Sequence, residues 1–360
     1  MQLTAPVKLL PTPAQASALR ETLAAALAAA AAVSAYAWEH RCFGQWSLHH
    51  ACYRRAREEF GLGAQLAVRV IGLVAQSYRA DRRCLHRFAP SSAVPFDSRI
   101  LRWDLARRQV SLWTLRGRVN IPFVCGERQL ALLQGQRGES DLYCRGSDFY
   151  LSCACQVALP EPQAVEEYLG VDLGLVNIAT DSDGTIYSGA TVNGLRHRHR
   201  RLRQKLQAKG TKSARRLFKQ RRHKETRFAA DVNHCISKEI VATAQDTGRG
   251  LALEDLRGIR DRVTARQSQR ATLSSWAFAQ LGTFLRYKAA LAGVPVAIVD
   301  PRNTSRTCPA CGLVDKRNRK TQASFLCVRC GFSGLADHCA AREISRRGLV
   351  SGPYAAGLPA

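Results

Sequence analysis

Apolar and polar positions follow two different rhythms along the first 160 residues. Residues 7–10 read as a short extended segment, followed by Pro11, Thr12, Pro13, Ala14 and Gln15. Thr12 with Gln15 three positions later is a capping box, and Pro13 takes the first helical position, where its missing N–H costs nothing. A helix therefore starts here and continues in alanine, leucine and arginine through Glu39. Further helical stretches are expected up to residue 89, interrupted by turns near Gly61 and Gly63, making a small helical bundle. From Pro90 the rhythm changes to period two, as in Gln109, Val110, Ser111, Leu112 and Trp113, and again over residues 148–153. Broken at Gly117, Gly126, Gly135 and Gly146, it predicts antiparallel strands, most simply a small barrel. Cys153 and Cys155 share one face of such a strand and read as small core residues.

Pro160 and Pro162 mark a linker, and a new domain begins near Glu166. Residues 168–174, 176–180 and 185–187 read as a hairpin or meander with a tight turn at 181–184. Asp181 and Asp183 superficially resemble a calcium loop, but the remaining ligand positions are absent and the turn reading is favoured. Next come a helix over 231–245, a strand over 250–256 carrying Glu254 and a polar linker over 260–271. A helix through Trp276 and Tyr287, a strand over 294–299 and a last apolar helix starting near Asp337 complete the pattern.

Charge sharpens this picture. The 360 residues hold 54 Lys and Arg against 28 Asp and Glu, a formal net charge of +26, with 46% hydrophobic and 23% charged residues. Such a composition is globular, so the charge decorates folded domains, two or three at this length, and points to a polyanionic partner. Residues 196–227 contain fifteen Lys or Arg and one acid, Glu225, a net +14. No acids compensate at i+4, so a phosphate backbone, rather than solvent alone, is the natural neutraliser. Arg200, Arg201, Lys205, Arg215, Arg216, Lys219, Arg221, Arg222 and Arg227 are the candidate nucleic-acid contacts of this segment. Residues 23–37 are apolar but mostly alanine, short for a bilayer and flanked by Glu21 and Glu39, which argues against a membrane span. The thirteen cysteines are odd in number, lie in a large chain and follow no basic-then-apolar leader, so an intracellular, reduced protein is expected.

Two groups of residues carry candidate chemistry. Cys308 and Cys311, then Cys327 and Cys330, form CxxC, fifteen intervening residues, CxxC, with Gly312 and Gly331 closing the two turns. Two such knuckles complete a tetrahedral zinc site that is closed and therefore structural. Arg306, Lys316, Arg317, Arg319 and Lys320 surround it, as a ribbon touching a phosphate backbone would require; Arg306, Lys316 and Arg317 join the candidate nucleic-acid contacts. The second group is acidic. Leu169, Val171 and Leu173 share one strand face and leave Asp172 on the other, between Gly170 and Gly174. Leu251 and Leu253 point one way, Ala252 and Glu254 the other, so Glu254 is a better ligand than Asp255. Asp337, taken alone, reads as a helix N-cap. Together, a strand Asp, a later strand Glu and a helix-start Asp are what two Mg²⁺ ions roughly 3.5 to 4 Å apart require to act on a phosphodiester.

The runs GVDLGLVNIATDSDG, LALEDLRGIR, DPRNTSRTCPACGLVDKRNRKTQASFLCVRCG and ADHCAAREI resemble the TnpB (OrfB) family, RNA-guided nucleases of bacterial insertion sequences related to compact type V CRISPR effectors. SARRLFKQRRHKETRFAADVNHCISKEIV resembles the family's basic helical insert, and FDSRIL with WTLRGRVNIPFVCGERQ its N-terminal barrel. The resemblance implies an α+β multidomain protein: a wedge β-barrel (1–10 and 90–165) with an inserted helical recognition lobe (11–89), then an RNase H-like (RuvC) α/β nuclease domain (166–305 and 332–350). That domain would carry the basic insert (196–248) and be interrupted by a zinc ribbon (306–331), with a tail at 351–360. It further implies Asp172, Glu254 and Asp337 as a catalytic triad for two Mg²⁺, a structural Zn²⁺ on the four cysteines, and positioning roles for Asn303, Thr304 and Ser305. The implied partners are a guide RNA from the insertion-sequence end and double-stranded target DNA, cut beside a transposon-adjacent motif in the prokaryotic cytoplasm, with the protein at the nucleoid when bound to DNA and no membrane involved. The family commonly continues its last acid as DxNAA, whereas this chain has Cys339 at the Asn position and Glu343 where a second Asn is usual. A nuclease-inactive RNA-guided repressor should have lost a triad acid, and a DNA strand-transferring transposase would work without a guide. A plain zinc-ribbon nucleic-acid-binding protein leaves Asp172 and Glu254 idle.

Overall fold

The computed structural model describes residues 1–221, 224–256, 278–321 and 323–352. The linker expected over 260–271, the helix entry at Trp276, Arg222 and most of the 351–360 tail lie outside the described residues. The chain divides into two compact units, one ending at Ala158 and the other beginning at Leu159.

The first unit opens with β1 (Gln2–Leu9), α1 (Pro13–Glu39), α2 (Gln45–Glu58) and α3 (Ala64–Ala80). The capping box forms: Thr12 Oγ1 accepts from the Gln15 N–H at 3.4 Å, and Gln15 Oε1 accepts from the Thr12 N–H at 3.0 Å. By length and composition α1 could cross a membrane, but half of its apolar stretch is buried within the protein. Its Ala26, Ala29, Ala30 and Ala37 are core residues, small enough to let helices approach closely. The helical region stops at Ala80 rather than residue 89, because Asp81 is extended and its carboxylate accepts from the Arg83 N–H at 2.9 Å, an Asx turn. The remaining elements are β2 (Val94–Phe96), β3 (Leu101–Asp104), β4 (Gln109–Thr114), β5 (Gly117–Val124), α4 (Glu127–Gln134), β6 (Gln136–Arg145) and β7 (Asp148–Gln156). The expected barrel takes the form of a barrel-like antiparallel sheet of seven strands in the order β2-β6-β7-β1-β5-β4-β3. Phe149, Leu151, Cys153 and Cys155 of β7 all face its core. The helix α4 interrupts what reads as strands throughout; Gly126 caps it and Glu127 sits in its first turn.

The second unit contains β8 (Tyr168–Asp172), β9 (Asn177–Asp181), β10 (Ile186–Ser188), α5 (Ala190–Lys209), α6 (Lys212–Arg221), α7 (Lys224–Asp246) and β11 (Gly250–Glu254). It continues with α8 (Phe278–Ala292), β12 (Val296–Val299), the hairpin β13 (Ser324–Leu326) and β14 (Ser333–Leu335), and α9 (Ala336–Ser351). Its sheet runs β10-β9-β8-β11-β12, an antiparallel meander followed by strands parallel to β8. Strand parity sorts the side chains. Leu169, Val171, Leu251 and Leu253 pack with Ile236 and Ile240 of α7 and Leu281 and Leu285 of α8. Tyr168, Ala252, Ala297 and Val299 pack with Ile344 of α9. Asp181 makes the expected turn: its carboxylate accepts from the N–H groups of Asp183 and Thr185.

Helix α9 lies so close to β8 that a Cβ on Gly170 would sit 2.1 Å from the Ala341 carbonyl oxygen and 2.4 Å from the Ser345 nitrogen. Both obstacles are backbone, so neither can rotate away. Gly170→Ala is expected to destabilise the second unit by about 3 kcal/mol, the upper part of the range for overpacking, measured as a lowered thermal transition against an unchanged first unit.

Candidate functional site

Asp172 ends β8 and Glu254 ends β11, two parallel neighbours in which Val171 pairs with Leu253. Both acids take the strand parity opposite to the leucines, on the face covered by α9, and Asp337 lies in the first turn of that helix. The helix N-cap is Leu335, so Asp337 is not the cap. All three acids are half-buried. Burial pushes the Asp172 carboxyl well above the usual carboxylate range, the charges of Glu254 and Asp337 push the same way, and Arg319 opposes them. Burial also raises Glu254, against the Thr304 hydrogen bond and the charges of Arg347 and Arg319.

The surrounding donors hold specific oxygens. Thr304 Oγ1 donates to Glu254 Oε1 at 2.5 Å. Of the three residues implied as positioning, Thr304 makes this contact. Asn303 shapes the turn with a left-handed φ of 62° and accepts at its carbonyl from the Arg306 and Thr307 N–H groups, while Ser305 is half-buried within the turn. Asp337 Oδ2 accepts from Asn177 Nδ2 at 2.9 Å, and Arg319 Nη2 lies 3.5 Å from Oδ1.

Two of these partners escape sequence reasoning. Asn177 stands on β9, five positions beyond Asp172, inside the run that carries the resemblance, so its place there is the available signal. Arg319 is indistinguishable in sequence from the other cations around the cysteines. The DxNAA departure also resolves: Cys339 is buried among Cys308, Phe325, Cys327 and Ala336, and Asn177 supplies the amide to Asp337.

Among the described residues, the four cysteines are the one group of three or more metal-ligating side chains whose donor atoms all lie within 4.8 Å of one another. The acids form a looser cluster. Cys308 Sγ is 3.6 Å from Cys330 Sγ, and Cys311 Sγ is 3.5 Å from Cys327 Sγ. Zinc–sulfur bonds of about 2.3 Å in a tetrahedron need sulfurs roughly 3.8 Å apart, so these thiols could hold a zinc ion. The two knuckles repeat one geometry. Gly312 and Gly331 adopt φ of 72° and 73°, and their N–H groups bond the carbonyls of Cys308 and Cys327. The N–H groups of Cys330 and Arg329 donate to Cys327 Sγ and lower that thiol to about 6, while hydrogen bonds with the other three thiols raise Cys330 to about 12.

The basic segment folds as α5, α6 and the start of α7. Arg200, Arg201, Lys205, Arg215, Arg216, Lys219, Arg221 and Arg227 are all exposed, as are Arg306, Lys316 and Arg317. Its one acid, Glu225, lies 3.9 Å from Arg196 and 3.6 Å from Arg203, tying α7 to α5.

Known proteins resemble parts of this chain. The "Cas12f1-like, TNB domain" family matches residues 278–344, which include all four cysteines and Asp337. The CRISPR-associated endodeoxyribonuclease Cas12f1 of Sulfoacidibacillus thermotolerans is 39% identical over 129 residues, 36% of this chain and 29% of that protein. A TnpB-like protein of Methanocaldococcus jannaschii is 29% identical over 48% of this chain and 65% of its own length. InsQ of Escherichia coli K12, provisionally named an RNA-guided DNA endonuclease, is 27% identical over 50% of this chain and 48% of its own. In each case the chain spans less than two thirds of the relative's length. On these matches the chain is a relative of the TnpB-like proteins and the compact Cas12f effectors, the family its motifs resemble.

Two outcomes follow from the site. An Asp held above its ordinary pKa is ionised at neutral pH more readily in the unfolded chain than in the folded one, so its charge opposes folding. Asp172→Asn should therefore raise the melting temperature of the zinc-loaded protein in Mg²⁺-free buffer by a few degrees at pH 7, with the gain vanishing below the ordinary Asp range, where both states are protonated. Metal analysis should find one zinc per chain, lost in Cys327→Ser together with a lower thermal transition of the second unit.

Proposed function

We propose that the protein is a transposon-encoded, RNA-guided DNA endonuclease that hydrolyses phosphodiester bonds of target DNA next to a transposon-adjacent motif. The observation that carries this reading is the convergence of Asp172, Glu254 and Asp337 from two strand ends and a helix start, in a chain related to TnpB-like and Cas12f proteins. Their donor chemistry fits Mg²⁺: hard carboxylate oxygens, half-buried, whose burial and mutual repulsion a divalent cation relieves. Two bound Mg²⁺ would supply an activated water and stabilisation of the 3′-oxygen leaving group, so that cut strands carry 5′-phosphates. Thr304 orients Glu254, and Asn177 with Arg319 orients Asp337. No side chain need act as nucleophile, and one site would cut both strands in turn.

In this reading the second unit carries the RuvC-like domain, over 166–305 and 332–350, around the zinc ribbon of 306–331. The barrel-like sheet of 1–10 and 90–165 and the helical lobe of 11–89 would read the adjacent motif, while pairing with a guide RNA from the element's own end reads the remaining target. The exposed cations of α5, α6 and α7 and those beside the cysteines would follow the phosphate backbones, in the prokaryotic cytoplasm where such partners meet.

Coexpression with the element ends, followed by sequencing of copurified RNA, should yield an enriched element-end species. With that guide, Asp172→Ala should abolish cleavage of matched DNA while guide and target binding survive. Bulk cellular RNA alone, or cleavage retained in Asp172→Ala, would overturn the assignment. Wild-type protein that binds guide and target without cutting would mark the repressor instead.

A further inference from the structure

The second departure of α9 from the family pattern, Glu343, is not idle. Its side chain has a relative exposure of 0%. It is held by Arg346, whose Nε and Nη2 each donate at 2.8 Å to a different carboxylate oxygen, and by Arg347 Nε at 2.7 Å. A fully buried carboxylate persists only with such compensation. Arg347 extends the network outward. Its Nη1 donates to the carbonyl oxygens of Asp300 and Arg302, both at 2.8 Å, and its Nη2 lies 3.4 Å from Thr307 Oγ1. These three acceptors bracket the loop 300–307. Between them Asn303 turns the chain at a φ of 62°, a left-handed conformation that asparagine tolerates better than other side-chain-bearing residues. The next residue is Thr304, whose hydroxyl donates to Glu254.

We propose that Glu343 and Arg347 are positioning residues of the acidic site. Glu343 locks the Arg347 guanidinium, Arg347 clamps the loop, and the loop presents the Thr304 hydroxyl that fixes the Glu254 carboxylate. Because α9 also carries Asp337, a single rigid helix registers two of the three acids. This inference rests on the acids holding divalent cations, as proposed above.

The clamp differs from a merely structural ion pair in what it should do to metal affinity. Mn²⁺ binding to the 360-residue chain, followed by electron paramagnetic resonance, reads that directly, alongside thermal melting and guide-RNA binding. Arg347→Lys keeps the charge but loses the planar fork that spans two carbonyls and a carboxylate. Arg347→Lys, Glu343→Gln and Thr304→Val should each weaken Mn²⁺ binding about tenfold, the scale of losing a partner that orients a metal ligand. Thr304→Ser, which retains the hydroxyl, should bind as wild type, and guide-RNA binding should not change. Lower melting temperatures with wild-type Mn²⁺ affinity in Arg347→Lys and Thr304→Val would overturn the inference while leaving the proposed function intact. Equal Mn²⁺ binding by wild type and Asp172→Asn would overturn the metal site itself, and the clamp with it.

Discussion

Carboxylates brought together in a half-buried place repel one another and lose hydration, and the second unit is arranged around containing that cost. Parity on β8 and β11 puts Asp172 and Glu254 on one sheet face, and a glycine at 170 lets α9 approach closely enough to add Asp337. The opposing groups come from four further places: Thr304 in a loop, Asn177 on β9, Arg319 beside the cysteines and Arg347 on the helix itself. Glu254 and Asp337 are thus each restrained by a hydrogen bond from a segment distant in sequence, while the charge of Arg319 opposes that of Asp172. Protonation of Asp172 relieves part of that cost, and a divalent cation would relieve it in the same way.

What could be read in advance divides along physical lines. The capping box, the period-two strands, the parity of the acids and the double CxxC were legible because each is a local spacing rule with one geometric meaning. The end of α3 was missed because a single Asx turn at Asp81 outweighed good helix formers beyond it. The α4 helix was missed because eight residues flanked by glycines and strands carry too little periodicity to stand out. Asn177, Arg319 and the Glu343–Arg347 pair act on partners up to 160 residues away, and such contacts leave no trace in spacing. The substitution at Cys339 looked like a loss at the acidic site only because sequence does not say which way a helix residue points; its sulfur belongs to the cysteine core, and the amide arrives from another strand.

The charge excess has a similarly uneven organisation. Residues 196–227 place most of their cations outward on three helices, and Glu225 is the one acid in that stretch to join them. A single carboxylate between Arg196 and Arg203 can brace α5 against α7, but it cannot neutralise the remainder. The protein therefore carries an electrostatic demand that its own residues do not satisfy, and screening by salt would weaken whatever does.

The placement of Cys339 has a consequence for how the chain can be divided. The strand β14 runs directly into α9, the Ala336 N–H bonds the Ala323 carbonyl at 2.9 Å, and Ala336 and Cys339 are buried in the same cluster as Cys308, Phe325 and Cys327. Asp337 is therefore flanked, one residue before and two after, by side chains that belong to the cysteine hairpin. A module boundary drawn at residue 331 or 332 follows the motifs but cuts through a continuous piece of packing. Exchanging the hairpin for one from a relative would transplant part of the bed on which an acid of the site rests, so hairpin and helix start form one packing unit.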